Sequence, residues 1–251
     1  MTRARLITFN LTSVDGRLTL SPGYDLMAPD ERWKAVIAQL GDPYLWVRDA
    51  LDPQLLLEGS GSFLSPEETA LVAEATDSEV ETDYFLPAAV VDVPGRRWFA
   101  VVDGAGAVDL QFTEWPDPAW TGWHALVLTS RAAPESHLER LRNRGIPYLV
   151  VGQEHVWLGR ALELVHELLG VRTVVCAGGG RLGGALLRQG LVDEIHIEVL
   201  PWAIGGRGTP TLFDCAPLGP DEWPTRLELI GHEVLPAGHV RLRYIVVRPT
   251  A

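Results

Sequence analysis

The 251-residue sequence is poor in several residue types, and each shortage argues against a class of protein. Lys34 is the only lysine, and the formal net charge is −12. No run of basic residues of the kind that binds a phosphate backbone is present, so we expect no nucleic-acid partner. Cys176 and Cys215 are too few for a disulfide framework, and neither they nor the seven histidines show the spacing of metal ligands. We therefore expect no metal centre.

Long apolar segments are also missing. No apolar run reaches the roughly 18 residues that a membrane-spanning helix requires, and the first ten residues lack the apolar core of a signal peptide. The sequence therefore predicts a cytoplasmic protein without a membrane partner. Because 47% of the residues are hydrophobic, the chain can form a sizeable core, and we expect residues 1–251 to fold as a single domain.

Two catalytic motifs are absent from the sequence. The Walker lysine follows none of the glycine-rich turns, which argues against a P-loop nucleotide hydrolase. No Gly-x-Ser-x-Gly elbow occurs, and Ser60, although it lies between two glycines, has no evident His and Asp partners in the order of a hydrolase. Nucleophilic catalysis is therefore not expected.

The most informative segment that is present is a glycine-rich turn. Gly178, Gly180 and Gly183 have the G-x-G-x-x-G spacing between a predicted strand, Thr173–Cys176, and a predicted helix, Leu182–Gln189. Glycines there allow backbone N–H groups to approach an anion, and the helix N-terminus adds partial positive charge. The motif predicts a phosphate or pyrophosphate ligand, and so a nucleotide cofactor; the alternative is a tight turn that binds nothing.

Predicted strands and helices alternate up to residue 200, which is typical of an α/β fold with a mainly parallel sheet. The predicted strands are Arg5–Thr12, Leu55–Glu58, Trp98–Asp103, Ala125–Thr129, Tyr148–Val151, Thr173–Cys176 and Glu194–Leu200. The predicted helices are Asp30–Leu40, a helix opening at Ser65, Pro134–Arg144, Leu158–Leu169 and Leu182–Gln189. Residues 76–96 are expected to form a surface loop, and residues 226–247 to form an antiparallel hairpin around Pro236-Ala237-Gly238.

Several segments, in order, resemble the reductase domain of bacterial riboflavin biosynthesis, a branch of the dihydrofolate-reductase-like family. Residues 12–17 are similar to its Ser-Leu-Asp-Gly-Arg/Lys motif, and residues 59–62 to its Gly-x-Gly-Thr turn. Residues 178–187 resemble Gly-Gly-x-x-Leu-x-x-x-Leu-Leu, and residues 190–194 match Gly-Leu-Val-Asp-Glu. Residues 201–213 resemble the closing Pro-x-x-x-Gly-Gly-x-Gly-x-x-x-Phe. The resemblance covers most of the chain and is weakest over residues 65–120.

This resemblance implies a three-layer α-β-α fold around a mixed, mainly parallel sheet, with NADPH as cofactor and a homodimer as the assembly. It also implies hydride transfer to a C=N or C=O bond of a small heterocyclic substrate. Arg131 either pairs with the 2′-phosphate of NADPH or is an exposed loop arginine. Carried over by position, the cofactor-binding residues are Thr12, Ser62, Gly104, Arg131, Gly178, Gly179, Gly180, Arg181, Leu182, Gly183, Gly184 and Ala185.

The chain departs from the family pattern where the substrate is held. The riboflavin reductases usually carry an acid before the glycine pair, at the position of Ala177. They also carry an arginine-containing segment that holds the sugar phosphate, where this chain has Ser65-Pro66-Glu67-Glu68, whose acidic pair would repel a phosphate. We therefore expect a different, less anionic substrate. The alternatives are a non-catalytic, nucleotide-binding dimeric accessory protein and an ordinary Rossmann dehydrogenase.

Two carboxylates are candidate catalytic residues. Asp15 follows a buried strand and either supplies a proton or only stabilises its own Asp-Gly turn. Glu58 lies at a strand end before a glycine turn, where ligands of open sheets bind, and either orients a substrate nitrogen or is simply exposed. Trp46 and Trp202 either stack on a flat heterocycle or pack in the core or a dimer interface.

Overall fold

Ten strands form a single sheet in the computed structural model, which describes residues 2–23, 29–64 and 83–248. The strands are β1 (Arg5–Ser13), β2 (Leu55–Gly59), β3 (Asp83–Phe85), β4 (Arg97–Val102), β5 (Trp123–Thr129), β6 (Tyr148–Val150), β7 (Thr173–Cys176), β8 (Glu194–Leu200), β9 (Leu227–Val234) and β10 (Val240–Val246). Their order across the sheet is β3-β6-β5-β4-β2-β7-β1-β8-β10-β9.

The central part of the sheet is parallel, and its two edges are antiparallel. The strands from β6 to β8 in this order all pair in parallel. β3 pairs antiparallel with β6 at one edge, and the β9–β10 hairpin pairs antiparallel with β8 at the other. The predicted mainly parallel sheet with a C-terminal hairpin is therefore confirmed.

Helices cover both faces of the sheet. They are α1 (Glu31–Ile37), α2 (Pro43–Trp46), α3 (Ala88–Val91), α4 (Glu135–Asn143), α5 (Leu158–Leu169) and α6 (Gly180–Arg188), and a π-helical turn, Val47–Leu51, extends α2. Leu162 of α5 and Leu186 of α6 are buried in the core on one face, and Trp33 of α1 and Leu141 of α4 in the core on the other. The result is the three-layer α-β-α arrangement around a mixed, mainly parallel sheet that the sequence predicts.

Several predicted elements differ from the observed ones. α1 ends at Ile37, three residues before its predicted end, and β5 begins at Trp123, two residues before its predicted start. α6 begins at Gly180, two residues before the predicted start, because the glycines of the turn continue into the helix. The prediction of a surface loop is wrong for part of residues 83–96, which contain β3 and α3. The helix predicted from Ser65 lies outside the described residues.

A gap opens in the sheet at the carboxyl ends of its central strands. β7 ends at Cys176, which pairs with Thr8 of β1 and Leu57 of β2. β1 continues beyond Thr8 and pairs with β8 as far as Ser13, while β2 continues to Gly59. Because β7 is shorter than both of its neighbours, the chain leaves the sheet between them and turns into α6.

Candidate functional site

The glycine turn occupies this gap and is held from both sides. On the β2 side, the Ala177 N–H donates to the Leu57 carbonyl at 3.0 Å. On the β1 side, the Asn10 side-chain amide donates to the carbonyls of Ala177 and Gly178 at 3.4 and 3.2 Å. A Cβ atom on Gly178 would lie 2.9 Å from the Leu182 side chain and 3.2 Å from the Gly59 nitrogen. Only glycine therefore fits at residue 178 without displacement of its neighbours.

Gly179 is the open position of the turn. Apart from Gly179 and its two chain neighbours, no atom of the described residues lies within 4 Å of the position that a Cβ on Gly179 would occupy. Within the described ranges, its N–H donates to no backbone or side-chain acceptor. α6 begins at the next residue, so the first backbone N–H groups of that helix lie beside this opening. None of the residues that the structure describes obstructs the approach of an anion to the backbone here.

The remaining glycines of α6 serve the packing of a neighbouring segment. A Cβ atom on Gly180 would lie 2.1 Å from the Thr211 carbonyl oxygen. Cβ atoms on Gly183 and Gly184 would lie 2.9 Å from the carbonyl oxygens of Leu212 and Asp214. Three glycines on one face of α6 thus let the backbone of residues 211–215 approach closely.

This packing changes the interpretation of the glycine-rich segment. It explains Gly183 and Gly184 without a ligand, and Ala185 packs against the hydrophobic core. The geometry does not support the expectation that these three residues contact NADPH. The expectation stays a prediction for the residues from Gly178 to Leu182.

Glu58 is a buried carboxyl group at the end of β2, close to the turn. Its residue is only 6% exposed, and the Ser62 hydroxyl donates to Glu58 Oε2 at 2.9 Å. Burial raises the pKa of Glu58 to about 7, and the hydrogen bond from Ser62 opposes this shift only in part. The Cys176 thiol lies close enough to interact with this carboxyl, but burial raises the pKa of Cys176 to about 12. Glu58 is therefore the group of this pair that can exchange a proton near neutral pH.

Asp15 has a different environment. Its carboxylate accepts hydrogen bonds from the Ser13 hydroxyl at 2.7 Å, the Ile204 N–H at 2.9 Å and the Gly205 N–H at 2.6 Å. These bonds, that from Ile204 foremost, hold the pKa of Asp15 well below its usual range. Asp15 thus fastens the turn after β1 to the loop after β8, and the environment opposes the predicted role of proton donor.

The other predicted cofactor residues lie along the same carboxyl edge of the sheet. Gly104 follows β4, and its carbonyl accepts a hydrogen bond from Ser130 at 2.7 Å, beside Arg131 at the end of β5. The Arg131 guanidinium lies 3.7 Å from the Asp83 carboxylate. Thr12 is buried, and its hydroxyl donates to the carbonyls of Ser13 and Arg17. The structure therefore groups Gly104 with Arg131, and separately Ser62 with Glu58.

A cavity of about 270 Å³ lies between α1 and the ends of β1 and β8. Its lining includes two indole side chains and several aliphatic ones: Trp33, Val36, Leu200, Trp202 and Ile204. Arg32 also lines it, but its guanidinium binds the Asp30 carboxylate at 2.6 and 3.0 Å. Trp202 is thus available for stacking, whereas Trp46 packs on Phe9 and lies 3.8 Å beneath the Arg241 guanidinium.

No group of three or more His, Cys, Asp or Glu side chains among the described residues could hold a metal ion. Of the helices that the structure describes, none has the length and apolar composition to cross a membrane.

Sequence reasoning missed Asn10 and the segment 211–215. Asn10 is an amide side chain in the mainly apolar run from Leu6 to Leu11, in which Thr8 is the other polar residue, and that contrast was a usable signal. Residues 211–213 belong to the resembled closing motif, but the motif did not predict the contact with α6, because that contact depends on carbonyl groups that every residue possesses.

Taken together, the fold and site define a three-layer α/β protein whose parallel sheet carries a glycine turn and a buried carboxyl group at one edge. Residues 94–240, more than half of the chain, match the model of the RibD C-terminal domain family. The chain therefore belongs to the RibD C-terminal domain family.

Curated relatives carry the name 2,5-diamino-6-ribosylamino-4(3H)-pyrimidinone 5′-phosphate reductase. The protein from Archaeoglobus fulgidus is 43% identical over 89 residues, which are 36% of this chain and 40% of that protein. The protein from Methanothermobacter thermautotrophicus is 32% identical over 133 residues, which are 53% of this chain and 57% of that protein. The matches thus span about half of each relative's length.

Solved structures share the fold over nearly the whole chain. A pyrimidine reductase-like protein from Corynebacterium diphtheriae superposes with a TM-score of 0.62 at 19% identity, covering 98% of this chain and 93% of that one. RibD from Acinetobacter baumannii superposes with a TM-score of 0.55 at 15% identity, covering 98% of this chain and 59% of that one. At these identities the likeness concerns the fold alone.

Proposed function

We propose that the protein is an NADPH-dependent reductase that delivers hydride to a C=N or C=O bond of a small heterocyclic substrate. Membership of the RibD C-terminal domain family and the names of the curated reductases support this class of reaction. The Glu58 carboxyl group carries the proposal, because it is buried at the carboxyl edge of the sheet with a pKa raised to about 7.

Glu58 is the proton donor in this proposal. Reduction of a C=N or C=O bond needs one proton at nitrogen or oxygen in addition to the hydride that NADPH supplies. A carboxyl group with a pKa near neutrality is protonated in part of the molecules and can donate at physiological pH. The Ser62 hydroxyl fixes one oxygen of Glu58, which leaves the other carboxyl oxygen for the substrate.

The glycine turn and the neighbouring strand ends hold the cofactor. The backbone from Gly178 to Leu182 would bind its phosphate groups, with Ser62 and Thr12 beside the turn. Gly104 and Arg131 would bind its adenosine end, where Arg131 exchanges the Asp83 carboxylate for a 2′-phosphate.

We further propose that the substrate is less anionic than a ribosylaminopyrimidine phosphate. Where the resembled reductases carry an arginine-containing segment that holds the sugar phosphate, this chain has Ser65-Pro66-Glu67-Glu68, whose acidic pair would repel a phosphate. Ala177 replaces the acid that the resembled reductases carry before their glycine pair. Both features favour a planar, weakly charged ring.

The first test is a titration of the purified protein with NADPH and then NADH, followed by tryptophan fluorescence and energy transfer to the nicotinamide. NADPH should bind at least tenfold more tightly than NADH. Absence of binding by either dinucleotide would overturn the proposal. Binding without turnover of any pyrimidine, pteridine or cyclic imine would favour the accessory-protein alternative.

The second test replaces the proposed donor. In Glu58→Gln, NADPH should bind as in the wild type, while turnover should fall by about 10²–10⁴-fold, since the amide cannot donate a proton as an acid does. In the wild type, kcat should fall as the pH rises through about 7, because Glu58 loses its proton there. Cys176→Ser, which changes the buried neighbour of Glu58, serves as the control and should retain turnover. Unchanged turnover in Glu58→Gln would exclude Glu58 as the donor.

We also propose that the protein is a homodimer in which the C-terminal hairpin forms the interface. β9 is an edge strand with exposed apolar side chains at Leu229, Ile230 and Val234. Edge strands of this kind offer unpaired backbone groups and apolar surface to a second chain.

A further inference from the structure

Where the pairing of β1 with β7 ends, the side chain of Asn10 provides the hydrogen bonds between the two segments. The pairing of β1 with β7 ends at Thr8 and Cys176. Asn10, two residues further along β1, is buried and donates its amide hydrogens to the carbonyls of Ala177 and Gly178. A side chain thus holds the two carbonyl groups that the backbone ladder no longer reaches.

Holding these carbonyls also fixes the direction of the following N–H groups. The peptide bonds here are trans, so the C=O and N–H of one peptide unit lie in a plane and point in opposite directions. The carbonyl of Ala177 shares its peptide with the Gly178 N–H, which donates a hydrogen bond to the Cys176 sulfur. The carbonyl of Gly178 shares its peptide with the Gly179 N–H, which is therefore directed away from β1.

The Gly179 N–H has no acceptor in the described part of the chain, and the same holds for the N–H groups of the first turn of α6, from Gly180 to Leu182. The space next to it is also open among residues 2–23, 29–64 and 83–248, since none of these apart from the chain neighbours of Gly179 lies within 4 Å of the position of its Cβ. An oriented and accessible backbone donor at the start of a helix is suited to a phosphate oxygen. The two observations are independent, because one concerns hydrogen bonding and the other steric access.

We propose that Asn10 is a positioning residue that aims the Gly179 N–H at a phosphate oxygen of the cofactor's diphosphate. This role rests on the proposed function, in which NADPH binds at the glycine turn. Asn10 itself touches the turn and not the ligand, so it lowers the cost of ordering the turn before the cofactor arrives.

The test compares two ligands on matched variants. NADPH contains the diphosphate, whereas adenosine 2′-monophosphate contains only the adenosine end and its 2′-phosphate. In Asn10→Ala, which removes the amide, and Asn10→Asp, which keeps its shape but cannot donate when ionised, NADPH should bind at least tenfold more weakly. Adenosine 2′-monophosphate should bind within twofold of the wild type. Thr8→Val is the matched control, because Thr8 lies on the same strand and its buried hydroxyl has no partner within the described ranges.

The outcomes separate this inference from the function on which it rests. If the wild type binds neither ligand, the proposed function is overturned together with the role of Asn10. If the wild type binds both and the Asn10 variants bind NADPH equally well, the role of Asn10 alone is overturned. Equal weakening of both ligands, or a similar loss in Thr8→Val, would show general loosening of the fold and would also overturn the role. Thermal unfolding of each variant confirms that the protein compared is folded.

Discussion

At the scale of single residues, the buried carboxyl group of Glu58 lowers the stability of the folded protein when it is ionised, and it can also supply a proton near neutral pH. A carboxyl group in an apolar core favours its neutral form, because ionisation there has little solvation. The residue is nevertheless placed where β2 ends and the glycine turn passes, with Ser62 as its single hydrogen-bond partner in the described ranges. Such a group makes the folded state sensitive to pH in a way that can be measured.

The stability of the wild type should fall as the pH rises from about 4.5 to about 7. Over this interval the unfolded chain releases the Glu58 proton at its ordinary pKa of 4.5, while the folded protein keeps it up to about 7. The free energy of unfolding should thereby decrease by on the order of 3 kcal/mol in total. Glu58→Gln should remove this contribution and unfold at higher denaturant concentration than the wild type at pH 8. Parallel pH profiles of the two proteins in urea unfolding would contradict the assignment.

Asp15 should behave as a structural anchor. Asp15→Asn loses part of the three hydrogen bonds to Ser13, Ile204 and Gly205, so thermal unfolding should begin at a lower temperature. The pH at which turnover is half-maximal should not change, because the ionised carboxylate of Asp15 does not titrate near neutrality. A loss of turnover with unchanged unfolding and NADPH binding would instead identify Asp15 as the donor.

At the scale of secondary-structure elements, the glycines at the start of α6 have different roles. Gly180→Ala should lower the free energy of unfolding by about 1–3 kcal/mol or more, because the new Cβ would lie 2.1 Å from the Thr211 carbonyl oxygen. Gly179→Ala should leave stability nearly unchanged, since its backbone φ is −66° and the adjacent space is empty. It should nevertheless weaken NADPH binding, because the added methyl group occupies the approach of the phosphate.

Gly180→Ala and Gly179→Ala serve as controls for each other. Urea unfolding measures the stability of both variants, and the fluorescence titration measures their NADPH affinity. Unaltered NADPH affinity in Gly179→Ala would show that the cofactor does not approach the turn at this point.

The elements of this fold were largely predictable, and their contacts were not. Thr173–Cys176, Leu158–Leu169 and Glu194–Leu200 lie within the predicted bounds, because β-branched runs and helical periodicity are local properties. The glycines of α6 were interpreted as ligand contacts, whereas three of them accommodate residues 211–215, about 30 positions later in the chain. Spacing alone cannot distinguish the approach of a phosphate from the approach of the chain's own carbonyl groups, since both require the absence of a Cβ.

In the candidate site, too, the residues were predictable and their contacts were not. Glu58 was predicted from its place at a strand end, but its burial depends on neighbours that the local sequence does not reveal. Asp15 was assigned a chemical role because its partners, Ile204 and Gly205, lie nearly 190 residues away. The polar residues thus indicated where the candidate site lies. Contacts with distant parts of the chain determine whether the carboxyl groups of Glu58 and Asp15 are protonated.

At the scale of the whole molecule, the exposed edge of the sheet predicts the assembly. Light scattering at micromolar concentration should give the wild type twice the 27.5 kDa mass of one chain. Val234→Lys, on the exposed edge strand, should shift the mass to that of the monomer, because a charged side chain disfavours pairing at an edge. Val14→Lys replaces a valine of similar exposure outside the hairpin, in the turn after β1, and should remain dimeric. A monomeric wild type would exclude the dimer.

The position of β1 in the sheet has a consequence for synthesis on the ribosome. β1 ends at Ser13, but both of its partners, β7 and β8, begin only at Thr173 and Glu194. At translation rates of about 5–20 residues per second, the 160 residues between Ser13 and Thr173 take roughly 8–32 s to emerge. During that time an apolar strand with unpaired backbone on both sides is present in the nascent chain. The gap that receives the glycine turn therefore forms late, and ribosome-associated chaperones have a long interval in which to bind the N-terminal segment.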